Sequence, residues 1–300
     1  MPIPYSDISP LRYPGSKAFL VDYIDELLKE NYLEGCIFIE PYAGSAIVSL
    51  ELLRRGTISE AILVERDPLI FCFWKCVFQY TYDLIDRIDK LPVTLETWDN
   101  FQDYKKIDIQ HENQVNYQQI INLGLAGLFF NRTTFSGILN AGPIGGRSQS
   151  SNYKIDCRFN KNKLIKKINK LSELHNCVTI ILSDAVQFLK KSKKLLGQKQ
   201  CFIYADPPYY KKGKDLYRYW YNYQDHQMLA KRLLSTNTPW LVSYDNHDKI
   251  KSLYKKAPGR WQIYIDYTLS SSSRRKEMEL IISNLPIPPK SFEISLIEIS

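Results

Sequence analysis

The chain has 300 residues, of which 44% are hydrophobic, 24% charged and 13% aromatic, with 21 tyrosines. That mixture supports a sizeable core and excludes wholesale disorder, and the length fits one large domain or a domain carrying a smaller one. Forty Lys and Arg against 32 Asp and Glu leave a formal charge of +8, which biases the chain towards a polyanionic partner without establishing one.

The N-terminus, Met1 to Lys17, has no signal-like apolar stretch, and no apolar run approaches the length of about 18 residues that a membrane span needs. The first strand candidate is Cys36–Tyr42, followed by a Gly-containing turn and a helix over Ala46–Arg54. A second strand, Ala61–Glu65, leads into a helix over Pro68–Tyr80. From Tyr82 to Asn176 the β pattern is lost. A polar and aromatic stretch precedes a helix at Gln118–Phe130, then a Gly-, Ser- and Asn-rich segment at Ser136–Asn152 and a basic helix at Asn160–Leu174. Strand patterns resume at Val178–Leu182, Cys201–Ala205, Pro239–Tyr244, Trp261–Leu269 and Glu279–Ser283, with a helix at Asp225–Leu234. The first four strands are nearly continuous apolar runs, as expected when helices cover both faces. The alternation predicts an α/β sheet, mainly parallel, with an antiparallel edge near the C-terminus and an insertion over 82–176.

Three strand ends carry chemistry. Cys201–Ala205 runs into Asp206-Pro207-Pro208-Tyr209, an acid, two residues that cannot continue a ladder, and an aromatic. In an open α/β sheet, ligands gather at the carboxyl ends of strands, where this tetrapeptide falls. Ile37–Glu40 runs into Pro41-Tyr42-Ala43-Gly44-Ser45, where glycine permits close approach of backbone to a ligand. The next strand ends at Glu65, placed to take ribose hydroxyls, with Asp67 two residues on as a candidate cap for the following helix. The six cysteines form no CxxC pair and no zinc-like spacing with histidine, so no metal site is expected.

The order of these parts resembles the Dam-type (class α) DNA adenine-N6 methyltransferases over nearly the whole chain. Pro10–Lys17 is similar to that family's N-terminal aromatic-x-Gly-x-Lys motif, Glu40–Ser45 to its EPF-G turn, Asn131–Gly137 to its NRxxFNG segment and Asp206–Tyr209 to its DPPY motif. The resemblance implies a Rossmann-like methyltransferase sheet with an inserted, mainly helical target-recognition domain bearing a β-hairpin. It implies a catalytic domain at 1–81 and 177–300 and a DNA-binding domain at 82–176. It further implies S-adenosylmethionine as methyl donor, held by Tyr13, Lys17, Glu40, Tyr42, Gly44, Glu65, Asp184 and Asp206.

The same likeness implies catalysis by Asp206, Pro207 and Tyr209. An adenine amino nitrogen is a poor nucleophile because its lone pair is delocalised into the ring. A carboxylate and the Pro207 carbonyl accepting its two hydrogens would draw that pair out of plane, with Tyr209 stacked on the base. The base must leave the duplex to reach the donor. DNA contacts are expected from Arg12, Asn131, Arg132, Phe135, Arg147, Lys211 and Lys212, with Arg132 or Arg147 suited to guanine. The expected partner is double-stranded DNA, with neither membrane nor metal, and the expected state is monomer or weak dimer. The expected location is a prokaryotic cytoplasm or nucleoid, or a phage-infected cell. Two departures stand out. Ala46 replaces the second glycine of the family's Gly-x-Gly turn, a mild change if its φ is negative but one that could crowd the cofactor's methionine moiety, and Ser136 replaces the asparagine of FNG. The alternatives are an amino-methyltransferase acting on DNA cytosine, RNA adenine or protein glutamine, and a catalytically silent DNA-binding homologue.

Overall fold

The computed structural model describes residues 8–12, 17–192, 200–270, 273–285 and 288–298, with backbone alone at 264–270, 273–277 and 293–298. In chain order the principal elements are α1 (Val21–Glu30), β1 (Ile37–Glu40), α2 (Ile47–Arg55), β2 (Glu60–Glu65), α3 (Pro68–Gln79), α4 (Thr81–Lys90), α5 (Leu95–Asn100), α6 (Tyr117–Thr133) and α7 (Lys161–Ser172). They continue with β3 (Val178–Leu182), α8 (Ala185–Lys191), β4 (Cys201–Ala205), α9 (Tyr223–Leu234), β5 (Trp240–Asp245), α10 (Asp248–Leu253), β6 (Gly259–Ser270), β7 (Ser273–Ser283) and β8 (Leu296–Glu298).

One sheet contains all eight strands in the order β3-β2-β1-β4-β5-β7-β6-β8. β1 to β5 pair in parallel, whereas β7 lies antiparallel to both β5 and β6. The α/β class and the antiparallel C-terminal edge are as expected. Alternation within each strand builds the two faces. Phe38, Leu63, Phe202 and Leu241 enter one apolar cluster with α1, α2, α3 and α6, while Ile39, Val64, Ile203 and Val242 enter another with α8, α9 and α10. Side chains on a strand point alternately to opposite faces, so a run without polar residues is buried twice over.

The insertion shares the first of these cores. α3 starts with Pro68 behind the cap Asp67, and its residues from Pro68 to Phe78 are all buried. A helix apolar all round needs cover on every side, and α6 supplies it opposite the sheet. The two helices approach closely because α6 has glycine at the crossing: a Cβ at Gly124 would lie 2.8 Å from the Cys72 carbonyl oxygen.

The expected helix Gln118–Phe130 runs three residues further, to Thr133, which takes the start of the NRTTFSG segment out of the loop. The hairpin that follows is narrow. Thr134 and Pro143 form one antiparallel bridge, supported by the Phe135 amide on Gly142 O at 3.1 Å and the Ile144 amide on Thr133 O at 2.8 Å. β7 begins at Ser273 rather than Glu279, because its first half pairs with β6 alone and carries charged residues with no apolar alternation. Among the described residues, no helix is long and apolar enough to cross a membrane, and no cluster of His, Cys, Asp and Glu could hold a metal ion.

Candidate active site

The strand order reverses between β1 and β4, so the loops leaving those two strands diverge and open a crevice at their carboxyl ends. The cleft there is lined by Tyr42, Gly44, Glu65, Asp67, Asp184, Asp206, Pro208, Tyr217, Arg218, Tyr219 and Tyr221, among others. Expected cofactor residues Tyr42, Gly44, Glu65, Asp184 and Asp206 are thus brought together.

The turn after β1 is held from three sides. The Trp74 indole donates to Gly44 O at 2.8 Å, the Gly44 amide donates to Glu65 Oε2 at 3.0 Å, and the Ser9 hydroxyl donates to Ser45 O at 2.7 Å. Ala46 closes the turn with φ 50° and ψ 23°. That is left-handed backbone, so the change from glycine is a strained one rather than a mild one, at a cost of about 1–2 kcal/mol. Ala46 is fully buried and is not among the residues lining the cleft.

Glu65 accepts the amides of Arg66 and Asp67, both at 2.8 Å, besides that of Gly44. Burial nevertheless pushes its carboxyl up to about 7, because desolvation of the charged form outweighs these donors. Asp67 caps α3 through the Leu69 amide at 2.9 Å and pairs with Arg218 at 2.5 Å. Arg218 in turn donates to Lys105 O at 2.6 Å. Tyr219 and Arg66 both reach Asp108, at 2.6 and 3.0 Å. The segment after β4 is therefore fastened over the cleft to the insertion. In sequence the aromatic run Tyr217–Tyr223 reads as a wall of the flipped-base pocket or as simple packing, and Tyr217, Tyr219 and Tyr221 of that run line this cleft; Arg218 carries no such signal. Asp184 caps α8 through the Gln187 amide and accepts the Tyr221 hydroxyl at 2.7 Å.

Glu40 departs from expectation. Its carboxylate turns away from the cleft into the start of α2, where it accepts the Ser49 hydroxyl and, at 3.4 Å, the Ser49 amide. Burial, with smaller contributions from Asp206 and Glu65, pushes it up to about 8. Lys17 also lies off the cleft lining, 3% exposed, with its ammonium 3.0 Å from Asp206 Oδ1, 3.5 Å from Glu279 Oε1 and 3.2 Å from the Tyr209 hydroxyl. Tyr13 lies outside the described residues.

Asp206 receives both Lys17 and, at 2.8 Å, the Ser243 hydroxyl on Oδ1. Its Oδ2 has no hydrogen-bond partner among the described residues, and the side chain is 24% exposed in the cleft. Pro207 is buried. Tyr209 lines a second cavity of about 320 Å³ with Lys211, Lys212, Asp245, Asn246, Met278 and Glu279. The loop is held there by Asp245, which accepts the amides of Tyr210 at 2.8 Å and Lys211 at 3.2 Å.

The expected DNA residues separate. Asn131 is fully buried in the last turn of α6, where it accepts the Arg12 amide at 2.7 Å and donates to Arg12 O at 2.6 Å. It ties the N-terminal segment to the helix, and the expectation that it meets DNA is corrected. Arg12 and Arg132 are half-buried, and burial lowers the Arg12 pKa. Phe135 is 69% exposed at the start of the hairpin loop, beside Ser136 at φ 54°. Arg147 is exposed and paired with Asp99 at 2.6 and 2.9 Å. Lys211 and Lys212 are exposed.

A family model of D12 class N6 adenine-specific DNA methyltransferases matches residues 13–268. The chain belongs to that family. As a member of that family it is a methyltransferase, and its methyl donor is S-adenosylmethionine. The cleft of this D12 enzyme suits such a donor. Carboxylates at the ends of two adjacent strands, Glu65 and Asp184, offer acceptors for hydroxyl and amino groups, the rings of Tyr42 and Tyr221 offer apolar walls, and Asp206 offers negative charge to a sulfonium. No curated protein matches the sequence. Among solved structures, PH1948 of Pyrococcus horikoshii, a "putative RNA methyltransferase", aligns at 9% identity and TM-score 0.42, covering 91% of this chain and 86% of that one. SMU.776, a "putative methyltransferase" complexed with SAH, aligns at 10% identity and TM-score 0.35, covering 87% of this chain and 49% of that one. Likenesses this slight leave the substrate to be read from this chain's own residues.

Proposed function

We propose that the protein is a site-specific DNA adenine-N6 methyltransferase acting on an adenine flipped out of duplex DNA, as in restriction-modification or Dam-like systems. The observation that carries the reading is Asp206: its side chain lines the cleft, Oδ1 is committed to Lys17 and Ser243, and Oδ2 has no hydrogen-bond partner among the described residues. In this role Asp206 Oδ2 accepts one hydrogen of the target amino group and the Pro207 carbonyl accepts the other. Both draw the nitrogen lone pair out of conjugation. S-adenosylmethionine, when bound, supplies a methyl on a positively charged sulfur that leaves as a thioether with the C–S electron pair. As the N–C bond forms, the amino proton becomes acidic and passes by way of Asp206 to water, so no histidine base is needed. Tyr209, its hydroxyl held, offers its ring to the base, a stacking contact of about 1–3 kcal/mol.

In the same reading, residues 1–81 and 177–300 form the catalytic part and 82–176 the target-recognition part. Glu65 takes the ribose, Tyr42, Gly44 and Asp184 complete the cofactor cleft, and Lys17 acts through Asp206. Phe135 and Arg147 on the narrow hairpin approach the duplex, and Lys211 and Lys212 take phosphates beside the flipped nucleotide. Arg12 and Arg132 flank that surface. The test is Asp206→Ala. Methyl transfer to duplex DNA is lost while the variant still binds S-adenosylmethionine by calorimetry; sustained transfer by this variant overturns the reading.

A further inference from the structure

Glu279 is 3% exposed on β7, directly opposite Asp245 of β5. Because β7 runs antiparallel, its earlier residues lie at the carboxyl ends of the parallel strands, beside the loop after β4. Like charges directly opposite one another in a sheet repel, so packing alone gives no reason for this pair. Each acid holds a different part of that loop instead. Asp245 takes the Tyr210 and Lys211 amides, and Glu279 accepts the Tyr209 hydroxyl at 3.0 Å. That hydroxyl itself accepts from Lys17 at 3.2 Å, and Lys17 lies 3.5 Å from Glu279 Oε1. The buried ammonium is therefore shared between Glu279 and Asp206 Oδ1, and Tyr209 is fixed by the same pair.

We propose that Glu279 is a positioning residue for methyl transfer, holding Lys17 away from the open oxygen of Asp206 and fixing Tyr209 against the target base. The inference rests on Asp206 being the acceptor of the target amino group. With the Glu279 charge removed, the ammonium shifts towards Asp206, where it competes with that amino group for Oδ2. Tyr209 also loses a charged acceptor. The expected defect is in the transfer step rather than in cofactor binding, since Glu279 does not line the cofactor cleft.

The test uses the full chain with S-adenosylmethionine and duplex DNA carrying a methylatable site. Glu279→Gln, which keeps the shape and removes the charge, is expected to lower kcat by about tenfold or more while the KM for S-adenosylmethionine stays within about threefold. Glu279→Asp restores part of kcat. Lys17→Gln placed on Glu279→Gln adds little further loss, because residues acting through one another are non-additive. A parental kcat in Glu279→Gln overturns the inference, as does full additivity with Lys17→Gln. Should Glu279→Gln fail to fold, the same split of kcat from KM is read in Glu279→Asp, and its absence is decisive against the inference. Asp206→Ala, measured alongside, separates the two levels. If it still transfers methyl the functional reading fails, whereas if it is dead and Glu279→Gln is unimpaired only this inference fails.

Discussion

Replacing Arg218 by methionine removes the cation that joins the segment over the cleft to both the sheet and the insertion. Arg218 and Asp67 have side chains only 9% and 10% exposed, so Asp67 is left as a buried acid whose partner is gone. Breaking a buried pair from one side costs about 3–5 kcal/mol. Asp67 keeps the Leu69 amide at 2.9 Å, which holds the loss near the lower end. The Lys105 carbonyl loses its donor at 2.6 Å, adding about 1 kcal/mol. The expected total of about 4 kcal/mol corresponds to a fall of roughly 6 °C in Tm for a chain of this size. Urea unfolding of the parent, Arg218→Met and Arg218→Lys measures it, with lysine restoring the charge but not the second contact. A methionine variant within about 1 kcal/mol of the parent would refute the reasoning that this clasp is a structural tie.

Three further outcomes are expected. Burial raises Glu40 to about 8 and Glu65 to about 7, above the unfolded value of about 4.3. Their contribution is therefore fully present below that value and is lost as pH rises through 7 to 8. Glu40→Gln should gain on the parent in unfolding free energy between pH 5 and 8, and parallel curves would contradict this. Ala46→Gly relieves left-handed strain but loses a buried methyl and frees the unfolded chain, so stability should move by less than about 1 kcal/mol. The KM for S-adenosylmethionine should stay unchanged; a severalfold drop would mean that the methyl crowds the cofactor after all. Phe135→Ala should leave Tm unaltered, since the ring is 69% exposed, while the KM for duplex DNA rises about tenfold on loss of a stacking contact. An unchanged KM for DNA would take Phe135 out of the interface.

The parts of the fold that were legible in the sequence are those with a strong period. Ile37–Glu40, Ala61–Glu65 and Cys201–Ala205 are short apolar runs ended by turn residues or acids, and each is a central parallel strand. The cleft residues Gly44, Glu65 and Asp206 were legible because each lies at a strand end or in the turn after one, whereas Asp184 followed only from the family likeness. What escaped was set by partners distant in sequence. Asn131 reads as a DNA contact because the helix pattern ends at Phe130, whereas the helix continues to Thr133 and only the Arg12 backbone 119 residues away explains Asn131. Glu279 looked like the polar start of an edge strand, and the pairing of β7 with β5 brings it under Tyr209. Glu40 followed the family motif, yet the Ser49 hydroxyl and amide draw it into α2. A single acid one residue before a buried apolar run, as in Met278-Glu279-Leu280-Ile281-Ile282, was the available signal for Glu279.

The identity of the methylated nucleoside bears most directly on the central claim. The purified protein, radiolabelled S-adenosylmethionine and unmethylated duplex DNA are incubated together, and the DNA is digested to nucleosides and resolved. The account predicts label in N6-methyldeoxyadenosine, lost with Asp206→Ala. Label in methylcytosine, or DNA that binds without acquiring label, would contradict it.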